Sequence, residues 1–263
     1  MRNYFLMGCL CLLLPACMGG EARQEEQAAD TLADTQWLQG VWLDDNTESP
    51  VFKIKGDSIY YASQINAPLK YDLKNDTLTI YGVETVHYPL ERCQEQALQF
   101  RTPVGDMVSL HKSDNDSVFV ALSVTGPEKK EVISKDLAVM YQGKRYRGYV
   151  YINPTSIKVV RPSLTEEGLT MDNVYYDNVI HICVYQGKQR LYAKDITRQM
   201  FSSVVPDDYL KMSILSDMDF IGVDAEGYHY LATLCIPDGA SCYNVELTID
   251  RDDQLSFSSA DVE

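Results

Sequence analysis

The chain has 263 residues, of which 45% are hydrophobic, 23% charged and 18 tyrosine, the composition of a folded protein. Its formal charge of −15 excludes partners held through a phosphate backbone, which require a basic face to displace counterions. With 15 glycines, 10 prolines and no heptad or low-complexity tract, collagen-like, coiled-coil and wholly disordered classes are excluded too.

At the N-terminus one positive charge, Arg2, precedes an apolar run from Tyr4 to Leu14. A bilayer core takes roughly 20 apolar residues of helix, so this run predicts the core of a signal peptide and not a spanning anchor. It ends in Leu14-Pro15-Ala16-Cys17, which resembles the lipobox of bacterial lipoproteins: a small residue, then a cysteine that is acylated and becomes the first residue of the mature chain. The resemblance implies a signal peptide over 1–16, lipidation at Cys17 and a membrane partner reached through the lipid anchor. Several acyl chains, at about 0.8 kcal/mol per buried methylene, hold such a chain on a membrane essentially permanently. Residues 17–35 are polar and acidic and bury too little apolar area to offset their ordering entropy, so they read as a flexible tether. Their Glu residues resemble, in a scattered form, the surface-export signal of Bacteroidetes lipoproteins. The expected location is therefore the outer membrane, facing the periplasm or the cell surface.

From Gln36 the pattern becomes that of a mostly β protein. Phe52–Ile54, Ser58–Ala62, Leu69–Leu73 and Thr77–Tyr81 read as strands, separated by Lys55-Gly56-Asp57, Ala67-Pro68 and Lys74-Asn75-Asp76. Alternation from Val104 to Leu110 predicts a further strand. Trp37-Leu38-Gln39-Gly40-Val41-Trp42 opens this region, and Gly40-x-Trp42 resembles the start of lipocalins and lipocalin-like bacterial domains, which implies an antiparallel barrel. Residues 36–116 are short for an eight-stranded barrel that holds a ligand, so a partial barrel or small sandwich is expected. The polar cluster Ser113-Asp114-Asn115-Asp116-Ser117 marks the boundary to a second β-rich domain over 117–258, with 259–263 as a tail.

In that domain Val118–Val124, Val132–Tyr141, Tyr146–Ile152, Ile157–Val160, Val174–Tyr185 and Arg190–Ala193 read as strands. The string Tyr-Gln-Gly-Lys recurs at 141–144 and 185–188, at two expected hairpin tips. Two short helices follow: Ile196–Phe201, capped by Asp195, and Tyr209–Leu215, opened by Pro206-Asp207-Asp208. Strands near Asp219–Val223, Tyr228–Ile236, Tyr243–Ile249 and Leu255–Phe257 close the chain. The strings Leu215-Ser216-Asp217-Met218, Val223-Asp224, Leu234-Cys235-Ile236-Pro237-Asp238 and Val245-Glu246-Leu247 resemble a family of uncharacterised Bacteroides lipoproteins. That resemblance implies a cell-envelope protein without an assigned activity.

No nucleophile elbow, zincin helix, Walker loop or dinucleotide-binding turn is present, so no catalytic, cofactor or metal residue is assigned. The four histidines lack ligand spacing and read as strand-face residues. His181 and Cys183 share one face of a strand, which reads first as core and second as a thiolate pair. The acidic clusters Asp114/Asp116, Asp217/Asp219 and Asp250/Asp252/Asp253 lack a complete calcium loop and read as solvated turns. Cys235 and Cys242 flank a turn-rich loop and either bridge the two strands or stay reduced, as register decides. Tyr146, Tyr149 and Tyr151, near Lys144, Arg145 and Arg147, are either a contact face for an envelope protein or glycan, or cross-strand packing. The expected function is non-catalytic binding of a partner or small ligand. The alternatives are an envelope hydrolase using Asp217 and Asp219, or a structural component of an outer-membrane assembly.

Overall fold

The computed structural model describes residues 36–62, 67–119 and 131–259. The expected signal peptide, Cys17, the tether, residues 120–124 of the strand expected from Val118 and residues 260–263 of the tail lie outside the described residues.

Eight short strands follow Gln39: β1 (Gly40–Asp44), β2 (Pro50–Lys55), β3 (Ser58–Tyr61), β4 (Leu69–Lys74), β5 (Thr77–Tyr81), β6 (Thr85–Gln94), β7 (Ala97–Arg101) and β8 (Met107–Lys112). Each pairs antiparallel with the next, and β1 returns to β8 through Trp42↔Lys112, Leu43↔His111 and Asp44↔Leu110. The expected partial barrel or sandwich is thus a closed barrel. Strands of mostly four to six residues joined by tight turns fit eight into a length that longer, ligand-holding strands would overrun. Alternate residues point inward; Trp42, Phe52, Ile59, Leu78, Ile80, Tyr88, Leu98 and Phe100 are almost completely buried, with Tyr88 edge-on to Phe100 at 5.6 Å. A barrel of this strand number is just wide enough for its own side chains to fill. The strand expected over Val104–Leu110 starts later, because Thr102–Asp106 is a turn and Val104 is 79% exposed. Gly40 has φ +123°, a conformation that suits glycine, and leads into the buried Trp42.

Val118 ends a 3-10 turn (Asp116–Val118) and does not begin a strand. The rest forms two four-stranded antiparallel sheets. The first has the order β12-β11-β10-β9, from β9 (Ile133–Tyr141), β10 (Lys144–Leu164), β11 (Thr170–Gln186) and β12 (Gln189–Ile196); the second is β13 (Ile214–Val223), β14 (Tyr228–Cys235), β15 (Cys242–Ile249) and β16 (Leu255–Ser259), in chain order. The two strands expected at 146–152 and 157–160 are one, β10, which runs through Pro154. β9 pairs with β10 only as far as Ile152, so among the described residues Pro154 has no neighbour on that side to which an N–H would be owed, and the β10–β11 register breaks between Pro154 and Lys158.

The first expected helix is also different. β12 runs to Ile196, Asp195 lies inside it and pairs with His181 at 2.6 Å, and only a 3-10 turn over Arg198–Phe201 remains. The second, α1, spans Asp207–Met212, because β13 takes Leu215, whose N–H is accepted by Asp177 at 2.9 Å. Arg198 and Asp177, both buried, form an ion pair at 3.0 Å, and the Arg198 guanidinium also donates to the carbonyls of Leu210, Lys211 and Ser213 at the end of α1.

Between the two sheets lies one core, with Val150, Ile152, Ile180, Ile182 and Val184 from the first and Met218, Phe220, Tyr230, Ala232 and Leu247 from the second. Gly148 admits Phe220: a Cβ there would come within 2.1 Å of the ring.

At about 3.3 Å per residue, the 17 residues of β11 make the β10–β11 hairpin roughly 55 Å long. The far end of the β10–β11 hairpin reaches the barrel, on the side of the β1–β2, β3–β4, β5–β6 and β7–β8 turns. Leu169 and Thr170 are buried there, the Thr170 N–H donates to the Tyr88 hydroxyl at 2.7 Å, and the Ala67 N–H donates to the Asp172 carbonyl at 3.1 Å.

Candidate contact face

On β10 the inward residues Gly148, Val150 and Ile152 alternate with Arg147, Tyr149 and Tyr151, which therefore share the outward face of their sheet. Tyr146 has the opposite parity. It lies against the core, 6.1 Å from Tyr228, so the structure brings together two of the three tyrosines singled out and separates the third. Register adds others: Tyr149 stands opposite Cys183 and Tyr151 opposite His181 on β11, with Asp136 and Ser134 across on β9.

The Tyr149 and Tyr151 rings are parallel within 7° at 6.2 Å, Tyr185 meets Tyr149 edge-on at 5.7 Å, and His181 tilts beside Tyr151 at 6.2 Å. The Arg147 guanidinium lies 5.1 Å from the Tyr149 ring centre and is fixed by Asp136 at 2.6 Å. His181 Nδ1 is 2.6 Å from Asp195. Two polar pairs thus flank a row of three phenol rings. Desolvation, then Cys183 and the neighbouring tyrosines, push the Tyr151 hydroxyl above its ordinary range, so it is a neutral donor and acceptor at physiological pH. Tyr185 and the Asp195 and Asp136 partners were not singled out in the sequence. Only parity, shared by 147, 149 and 151 but not 146, was readable there.

Cys183 is 5% exposed beneath these rings, and burial raises its pKa, with Arg190 opposing; its thiol is held protonated, a state unsuited to a nucleophile. Asp217 and Asp219 converge on one ammonium, Lys135, at 2.6 and 3.0 Å. Lys135 loses solvation, which would lower its pKa, yet the hydrogen bonds it donates to both carboxylates hold it above the ordinary value. Asp250 accepts from the N–H groups of Asp252 and Gln254 in its own turn, and Asp116 pairs with Lys53. Cys235 and Cys242 are directly opposite in the β14–β15 register and joined by a disulfide of 2.06 Å.

A depression of about 650 Å3 lies at the barrel end between the hairpin tip and the β1–β2 and β7–β8 turns. Asp44, Asp106, Glu166 and Glu167 line it, and no basic side chain among the described residues does. Deeper at the same end Asp172 Oδ2 accepts the Val83 N–H at 2.8 Å, while Asp172 Oδ1 and the Tyr61 hydroxyl are buried without hydrogen-bond partners among the described residues. Burial raises the pKa of Asp172 against the Val83 hydrogen bond, and Glu84 adds to the rise.

These features define a closed β-barrel joined through a long hairpin to a two-sheet unit with an open tyrosine face. Residues 113–257 match the family described as a domain of unknown function, DUF4738, and the chain belongs to that family. No curated protein matches the chain. No helix among the described residues is long and apolar enough to cross a membrane.

Proposed function

We propose that the chain is a lipid-anchored cell-envelope protein of the outer membrane whose second β region binds a glycan, without catalysis, on the Tyr149–Tyr151–Tyr185 face. The observation that carries the reading is the pair of parallel rings on one strand, flanked by Arg147–Asp136 and His181–Asp195. Rings of this kind offer flat, low-entropy contact area to the apolar side of a sugar, and the flanking pairs offer donors and acceptors to its hydroxyls. The packed barrel interior supports the outward face over a lumenal ligand. The anchor rests on Leu14-Pro15-Ala16-Cys17.

The test is a glycan array with the purified full chain and its Tyr149→Ala/Tyr151→Ala variant. Binding that falls at least about tenfold in the variant supports the reading, at roughly 1 kcal/mol per ring. Empty arrays, together with capture of one stoichiometric envelope protein through the same tyrosines, would replace the glycan by a protein partner. For the anchor, a mature N-terminus other than acylated Cys17 by mass spectrometry, or unchanged membrane fractionation of Cys17→Ser, refutes it.

A further inference from the structure

The two open sheets have four outer edges: β9, β12, β13 and β16. Three are guarded in the ways that keep sheets from pairing with one another. β12 breaks register against β11 between Val184 and Tyr185 and carries Arg190 and Lys194; β13 breaks register twice against β14; β16 has only five residues. β9 lacks the register breaks and the shortness, and its two charges, Lys135 and Asp136, are both paired within the chain. Its nine residues pair with β10 from Ile133 to Tyr141 without a break, it contains no proline, and among the described residues no strand is hydrogen-bonded to its other edge. Ile133, Leu137 and Met140 along it are 55%, 45% and 67% exposed.

We propose that β9 is the interface through which two copies of this chain pair edge to edge, antiparallel, joining two four-stranded sheets into one of eight. A second copy fits because the strand is complementary to itself about Leu137. Centred there, Leu137 faces Leu137 of the other copy, Asp136 faces Ala138, Lys135 faces Val139, Ser134 faces Met140 and Ile133 faces Tyr141, so no like charges stand directly opposite. The strand's two charges are already neutralised within the chain, Lys135 by Asp217 and Asp219, Asp136 by Arg147. Leu137 also borders a depression of about 450 Å3 lined by Val150 and Phe220 together with the charged Lys135, Asp136 and Asp219. The two-fold axis of such a pair is perpendicular to the sheet, so both Tyr149–Tyr151 faces point the same way. Each copy carries a formal charge of −15, so added salt tightens the pairing.

The test uses the full chain in its membrane or in detergent. Leu137→Cys places two thiols across the axis at a Cβ separation of about 5 Å, within reach of a disulfide. Mild oxidation is expected to give a disulfide-linked dimer from Leu137→Cys and none from wild type or from Lys188→Cys at an exposed hairpin tip. Sedimentation should give a dimer for wild type and a monomer for Leu137→Lys and Met140→Lys, with unchanged circular dichroism. A wild-type monomer at micromolar concentration in moderate salt, or cross-linking at Lys188→Cys equal to that at Leu137→Cys, overturns the proposal.

Discussion

Gly82 and Asp172 are separated by ninety positions in the chain, yet a Cβ on the glycine would lie 2.9 Å from the aspartate's Oδ2. The barrel's β5–β6 turn is shaped to receive a carboxylate from the hairpin of the second region. Gly82→Ala should push that carboxylate off the Val83 N–H and cost about 1 to 3 kcal/mol. Urea titration checks this, with Thr102→Ser as a mild control at the same barrel end.

Asp172→Asn keeps an oxygen acceptor for Val83 and removes a buried carboxylate. Because the folded-state pKa of Asp172 is raised, its ionisation opposes folding, and that cost is fully present above the folded value and vanishes below the unfolded value of 3.8. The variant should therefore equal or exceed wild type in stability at pH 7. Its advantage should shrink as pH falls toward 4, followed by denaturant midpoints across that window.

His229 lies between two carboxylates, with Nε2 2.8 Å from Asp224 and Nδ1 2.9 Å from Glu246, and Thr248 at 3.3 Å completes its surroundings. Desolvation would lower its pKa, but the hydrogen bonds of Asp224 and Glu246 raise it above 6.5. Its contribution to stability is full below 6.5 and is lost as pH rises through the folded-state value. Thermal midpoints should decline over that interval in wild type and stay flatter in His229→Gln. Equal slopes would refute the assignment.

The Cys235–Cys242 disulfide closes a short loop whose Pro237 carbonyl accepts from Arg161 at 2.5 Å and whose Asp238 accepts from the Tyr175 hydroxyl at 2.6 Å. Reduction, or Cys235→Ser/Cys242→Ser, should cost about 2 kcal/mol by releasing the unfolded chain. The loss of the Asp238 contact should also bring down the Tyr175 phenol pKa, now pushed to about 12 by burial and that bond. Ultraviolet titration of the tyrosines reports the second effect.

Gly148→Ala should be among the most damaging single substitutions, costing about 3 kcal/mol, since its methyl has no room beside Phe220. Phe220→Leu in the same chain should return part of the loss, and a double-mutant cycle measures the coupling.

Much of this architecture was readable because its turns are written in local chemistry. Gly56, Asn75 with Asp76, Gln142 with Gly143, and Gly187 all adopt positive φ at hairpin tips where turn residues punctuate alternating strands. Closure of the barrel was not readable, because it depends on Trp42 meeting Lys112, a pairing with no local signature. Pro154 disguised the length of β10, since a proline fits a strand only where it owes no N–H to a neighbour, at an edge or beside a register break, and that is a tertiary fact. On the candidate face, residue parity separates Tyr146 from Tyr149 and Tyr151, but the proximity of His181 to Asp195 and of Arg147 to Asp136 follows from register across four strands.

The hairpin tip over the barrel gives the recurring unit that begins at 113 an obligation outside itself. Leu169 and Thr170 belong to that unit by sequence and to the barrel by burial. A chain cut at 113 would yield one piece with an unroofed barrel end and another whose hairpin tip exposes Leu169 and Thr170 to water. The family match and the burial of the hairpin tip thus draw different borders through this molecule, and a scanning calorimeter should record a single transition for the full chain.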